Sequence, residues 1–135
     1  KWLSIAVPSG KSDLEDLQHS NEDHMKNPID YSILNRVIPK KSEQVQMLNS
    51  FQKSVNEDYV YLIEMLKKGD HLKVAQMAHR IKGSSQMVGA NELAKVCAFI
   101  EKKAESRNLV EARAAIHRMI EAKKQIEIFC NSLET

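Results

Sequence analysis

The sequence predicts an all-α protein: an antiparallel four-helix bundle with a short extra N-terminal helix capping one end. Three observations lead there. Four long stretches carry apolar residues at alternating spacings of three and four, which gathers them on one side of a helix. Four glycines and three prolines are few for 135 residues, as a mostly helical chain requires. No stretch shows the period of two that a half-buried strand needs. The length suits one domain with one core, and 42% hydrophobic residues can fill it.

Taken in order, residues 1–28 lack sustained periodicity and read as a polar linker or arm. Pro8, Ser9 and Gly10 break it, and only Leu14 with Leu17 offers a seed for one helical turn. Residues 29–135 form the bundle. Asp30 reads as the N-cap of a short helix through Tyr31, Leu34 and Ile38 that Pro39 stops. Ser42 is the expected cap of a long helix with Val45, Leu48, Phe51, Val55, Tyr59, Leu62, Ile63 and Leu66 on its apolar side. Gly69 ends it. Asp70 opens the next helix, which runs to Val88 before Gly89. Asn91 begins a helix with Leu93, Cys97, Ile100 and Ala104 on one side. Asn108 opens the last, with Ala112, Ile116, Met119, Ile126, Cys130 and Leu133 in step. Short turns between long helices make neighbours antiparallel.

Composition excludes several functions. A net charge of +2, with lysine pairs dispersed among acidic residues, gives no dense basic tract for nucleic acid. No apolar run reaches the roughly 20 residues that span a bilayer. Cys97 and Cys130 fall on apolar stripes and read as buried thiols. His19 and His24 lie in the arm, His117 has no paired ligand, and His71 stands two turns from His79, too far for a two-ligand pair. With no HExxH and no close cysteine pair, no metal site is expected. Glycines at 10, 69, 83 and 89 form neither a GxGxxG nor a Walker-type loop. The chain therefore has no means of using ATP as a kinase.

The chemistry concentrates in the third of these helices. At 100° per residue, Val74, Met77, Ala78, Ile81, Ser85 and Val88 share one side, while His79, Lys82, Gly83 and Gln86 fall opposite. A glycine inside a helix costs about 1 kcal/mol relative to alanine. Gly83 so close to an outward histidine suggests that another molecule approaches there. The pattern Ala78-His79-x-x-Lys82-Gly83-Ser84-x-x-x-x-Gly89-Ala90, followed by Leu93, Cys97 and Ile100-Glu101, resembles the histidine-containing phosphotransfer (HPt) domain. The motif spans 24 residues, and the helical pattern extends the likeness to about residues 30–134.

The resemblance implies a phosphoryl carrier in a multistep His–Asp phosphorelay, a form of two-component signal transduction. His79 would accept phosphate from a receiver aspartate and pass it to the aspartate of a response regulator. Neutral imidazole is abundant near pH 7, its unperturbed pKa being about 6.5, which suits a nucleophile that must later leave. Glu101 would accept from Nδ1–H and orient the ring, leaving Nε2 to react. Lys82 would offset phosphoryl charge, and Gly83 would keep the approach clear. Leu72, Ala75, Val37 and Ile38 are candidates either for an apolar ring on which a receiver docks or for core and end-cap packing, and Gln86, on the same face as His79, is a further candidate contact. No cofactor is expected in the chain itself, with Mg²⁺ supplied at the receiver's site. The start at Lys1 and the polar arm lead to the expectation of a C-terminal module of a bacterial hybrid sensor histidine kinase. On that expectation Trp2 and Leu3 end an upstream receiver domain, the module is cytoplasmic, and the parent sits in the inner membrane. The alternative is a helical adaptor that binds a signalling partner without phosphorylation, in which His79 is incidental.

Overall fold

The computed structural model describes residues 28–133, which include six helices and no strand. They are α1 (Tyr31–Val37), α2 (Lys41–Lys68), α3 (His71–Val88), α4 (Asn91–Glu105), α5 (Leu109–Ala114) and α6 (Ile116–Leu133). The arm at 1–27, including the expected turn at Leu14 and Leu17, lies outside the described residues. So does the expected receiver tail at Trp2 and Leu3.

α2, α3, α4 and the α5–α6 pair form the four arms of the bundle, each packed on the next, with α2 and α6 closing the ring. The apolar stripes meet at its centre. Leu48, Leu62, Val74, Ile81, Leu93, Ile100 and Met119 are each 1% exposed or less. Burying a side chain of that size is worth about 1.5–3 kcal/mol. Val45, Tyr59 and Ile63 stand at the margin of the α2 stripe and are only half-buried. α3 and α4 pack most extensively, and both helices carry small buried side chains: Ala78 and Ser85 on one, Ala94 and Cys97 on the other. The Ser85 hydroxyl is satisfied locally, donating to the Ile81 carbonyl at 2.7 Å. Both cysteines are buried and unbridged. Burial, with the Glu101 charge added, pushes the Cys97 thiol up to about 12.

Turns obey local chemistry. The Asp70 carboxylate accepts from Lys73 N–H and that of Asp30 from Ser32 N–H, so both serve as N-caps. Gly69 and Gly89 end their helices with φ of 73° and 79°. α1 lies across the end where α3 turns into α4. Leu34 is fully buried there, and Gln44 of α2 holds α1 by donating to Asn35 Oδ1 and to the Ile38 carbonyl.

Two boundaries differ from expectation. α2 begins at Lys41 with Lys40 as N-cap, so Ser42 is inside the first turn and caps nothing. Lys41, Ser42 and Glu43 are exposed, and water can serve the first-turn N–H groups, so the helix starts directly behind Pro39. The last helix is two pieces. Ala115 N–H is shared between the Glu111 and Ala112 carbonyls at 3.3 and 3.2 Å, a tightened turn that interrupts the α-helical ladder. The Arg113 guanidinium on α5 reaches the Leu66 carbonyl at 2.6 Å and so satisfies the C-terminal turn of α2.

Candidate functional site

His79 lies halfway along α3, whose other side is locked into the core by Ala78 and Ile81. Its side chain is 68% exposed. The inner nitrogen, Nδ1, is 2.9 Å from Glu101 Oε2 on α4, and the second carboxylate oxygen lies 2.8 Å from Lys82 Nζ. One carboxylate thus bridges the two α3 residues. It is held firmly because Ile100 beside it is fully buried and the Glu101 side chain is itself 15% exposed.

Partial burial works against the charged form of Glu101, but the hydrogen bond and charge of Lys82, joined by His79, outweigh it and hold the carboxyl below its ordinary value. An ionised carboxylate can only accept hydrogen bonds. The proton between Nδ1 and Oε2 therefore belongs to the imidazole. In the neutral ring that leaves Nε2 with its lone pair on an exposed side chain. The site is chemically a single oriented nucleophile with a cation one helical turn away.

The same arrangement makes a pH prediction. A carboxylate whose folded pKa is depressed contributes stability that is fully present above the unfolded value of about 4.3 and is lost as pH falls through the folded value. Glu101→Gln should cost about 1 kcal/mol at neutral pH, the difference between a charge-assisted pair and a neutral one. That gap should close below about pH 4. Thermal melts of both proteins from pH 3 to 7 check it; a gap that persists unchanged in acid contradicts the assignment.

Gly83 has open space where a Cβ would stand. The fold itself does not require glycine there. Gly83→Ala should raise stability by about 1 kcal/mol through helix propensity, while slowing any reaction that needs another molecule close to His79. A melt and a transfer assay on one preparation test both halves.

Leu72, His79 and Gln86 recur at intervals of seven and form one line along α3, about 21 Å long. Leu72 is 64% exposed and Gln86 is also at the surface. Ala75 does not belong to this surface. It is buried, because on the helical wheel it lies between His79 and Ala78 and its methyl is too short to emerge from the edge of the core stripe. Val37 is exposed at the end of α1, whereas Ile38 is half-buried.

Two features near the site had no sequence signal. Arg80, next to His79, is bound by Asp58 of α2 at 3.2 Å. Burial raises the Asp58 carboxyl, with Arg80 opposing that shift. The partner of Arg80 is 22 positions away on another helix, beyond the reach of any local pattern. Met87 is more than half exposed on α3 and adds an apolar side chain that periodicity did not single out. Among the described residues no group of three His, Cys, Asp or Glu side chains is placed to hold a metal, and no helix is long and apolar enough to cross a membrane.

The family model described as Hpt domain matches residues 46–127, well over half of the chain. A solved structure, histidine-containing phosphotransfer protein B (HptB) from Pseudomonas aeruginosa PAO1, superposes with a TM-score of 0.72. The two are 27% identical, and the match covers 78% of this chain and 93% of that one. The search of curated proteins returned no match.

Proposed function

This chain belongs to the Hpt domain family and is a phosphoryl carrier of the His–Asp phosphorelay; from that premise we propose that His79 is the residue that carries the phosphoryl group. The observation that carries the reading is the Nδ1 contact with an ionised Glu101, which leaves Nε2 as the nucleophile on an exposed ring.

In the proposed step the Nε2 lone pair attacks the phosphorus of a receiver's aspartyl phosphate. The P–N bond forms as the P–O bond to aspartate breaks, and the carboxylate leaves. The imidazole becomes cationic, with its Nδ1 proton still held by Glu101. Charge stabilisation at the ring is thus in place before the reaction and needs no rearrangement. The arriving phosphoryl group brings close to two negative charges, and Lys82, one turn away, is the cation that can exchange Glu101 for it. The second transfer reverses the first onto another aspartate. Mg²⁺ and most stabilisation of the transferring group come from the receiver's acidic site.

Hpt domains pass phosphate to receiver domains of response regulators. For this chain we assign two such partners: a receiver within the same hybrid sensor kinase and a separate cognate regulator, both meeting the Leu72–His79–Gln86 line on α3. A cytoplasmic location follows from that partnership. The test is transfer from ³²P-labelled receivers to the intact chain, with the bond typed by its stability. Acid-labile, base-stable label mapped to His79 supports the reading; label elsewhere, or none from any receiver that binds, overturns it in favour of an adaptor.

A further inference from the structure

Delivery of a phosphoryl group makes a demand on the ring that acceptance does not. When the P–N bond breaks, its electron pair returns to Nε2. With a proton on Nδ1 the ring departs as neutral imidazole. Without that proton it departs as an imidazolate anion, a far poorer leaving group. A phosphorylated ring open to water loses the Nδ1 proton as pH rises, so what faces Nδ1 decides how long the donor stays active.

In this chain a carboxylate faces it. Glu101 Oε2 lies 2.9 Å from Nδ1, and the Glu101 side chain is only 15% exposed, so water screens its charge weakly. An amide in its place would accept from the same N–H and orient the ring equally well, but would bring no charge; the charge-assisted bond is roughly twice as strong. Lys82, 2.8 Å from Oε1, favours the ionised carboxylate in the free chain. Once the phosphoryl group draws Lys82 away, the ring's own positive charge takes over that part. The other charged groups nearby change little. Arg80 of α3 is paired with Asp58 of α2 at 3.2 Å and the two nearly cancel. Cys97, one turn before Glu101 on α4, has its thiol pushed up to about 12 and stays neutral.

On the reading that His79 carries the phosphoryl group, we propose that Glu101 holds the Nδ1 proton on phosphorylated His79 and so keeps the ring a neutral-imidazole leaving group to higher pH than an orienting amide would. In the delivery step the P–N bond breaks as the P–O bond to the second receiver's aspartate forms, and the Nδ1 proton stays where it is. Water exploits the same leaving group, so fast delivery and a short phosphohistidine lifetime go together.

The test phosphorylates the intact chain and Glu101→Gln from a ³²P-labelled receiver, removes that receiver, and follows both from about pH 6 to about pH 9, around the ordinary imidazole range. Delivery to a fresh receiver and spontaneous loss of label are measured side by side, and the ratio of the two chains cancels the receiver's own titration. The delivery rate of Glu101→Gln should begin to fall about one pH unit before that of the intact chain. At the alkaline end it should be roughly tenfold slower and hold its label correspondingly longer. A role confined to orientation gives parallel delivery profiles and unchanged label lifetimes; that result overturns the proposal. The ¹⁵N resonance of Nδ1 in the phosphorylated intact chain tests it without a variant. It should remain that of a protonated nitrogen at about pH 8, and a lone-pair nitrogen there overturns the proposal. Mapping the label separates the two levels: label on His79 with parallel profiles sinks this inference alone, whereas label on another residue sinks the carrier assignment with it.

Discussion

His79→Gln will accept no phosphoryl group from any receiver, yet it will fold and bind receivers as the unaltered chain does. Glutamine has no nitrogen lone pair available for attack, since its amide nitrogen is delocalised into the carbonyl, so the loss is complete. The fold tolerates the change because the His79 side chain is 68% exposed, and substitutions at such positions usually stay within about 0.5 kcal/mol. The Lys82–Glu101 ion pair, 2.8 Å long, does not depend on the imidazole. Transfer, receiver binding and melting measured on one preparation separate the two accounts. A carrier loses the first and keeps the others. A variant that still takes up acid-labile phosphate would move the site away from His79.

Gly89→Ala should be the most damaging single-methyl change in the bundle, costing roughly 2–4 kcal/mol, on the order of 10 °C in melting temperature. Two costs add. Gly89 has φ of 79°, a region that an alanine enters at a penalty of about 1 kcal/mol. The new Cβ would also stand 2.6 Å from the Asp30 carbonyl oxygen and 3.1 Å from its nitrogen. Those are backbone atoms and have no rotamer in which to escape. Relief requires moving the segment that leads into α1, which breaks the 2.8 Å bond from Asp30 N–H to the Gly89 carbonyl and loosens Leu34. Gly69 provides the control, with φ of 73° but open space around it, so Gly69→Ala should cost only about 1 kcal/mol. Equal melting temperatures for the two variants would show that the α1 contact contributes nothing.

The contrast between these glycines shows where a sequence stops being informative. Periodicity alone determined that this chain is a four-helix bundle, because a helix exposes its burial pattern within each turn, and Leu48, Ile81, Ile100 and Met119 all fall on stripes that the spacing marks. It also put His79 outside the core and Gly83 beside it. The motif around them pointed to the family. Boundaries were less legible: Ser42 has the chemistry of a cap, but the helix had already begun behind Pro39, and nothing local announces the tightened turn at Ala115. At the edge of a stripe the spacing left Ala75 open to docking or to packing, and its burial puts that short side chain on the packed side. The resemblance had pointed to Glu101 at the His79 ring; tertiary structure alone decided that the same carboxylate also holds Lys82, that Arg80 is tied to Asp58, and that Gly89 is pressed against Asp30. Each joins residues on separate elements. Helical periodicity is written into neighbouring positions, whereas a contact across the bundle depends on how whole helices are placed, and that placement is set by the packing of the entire core.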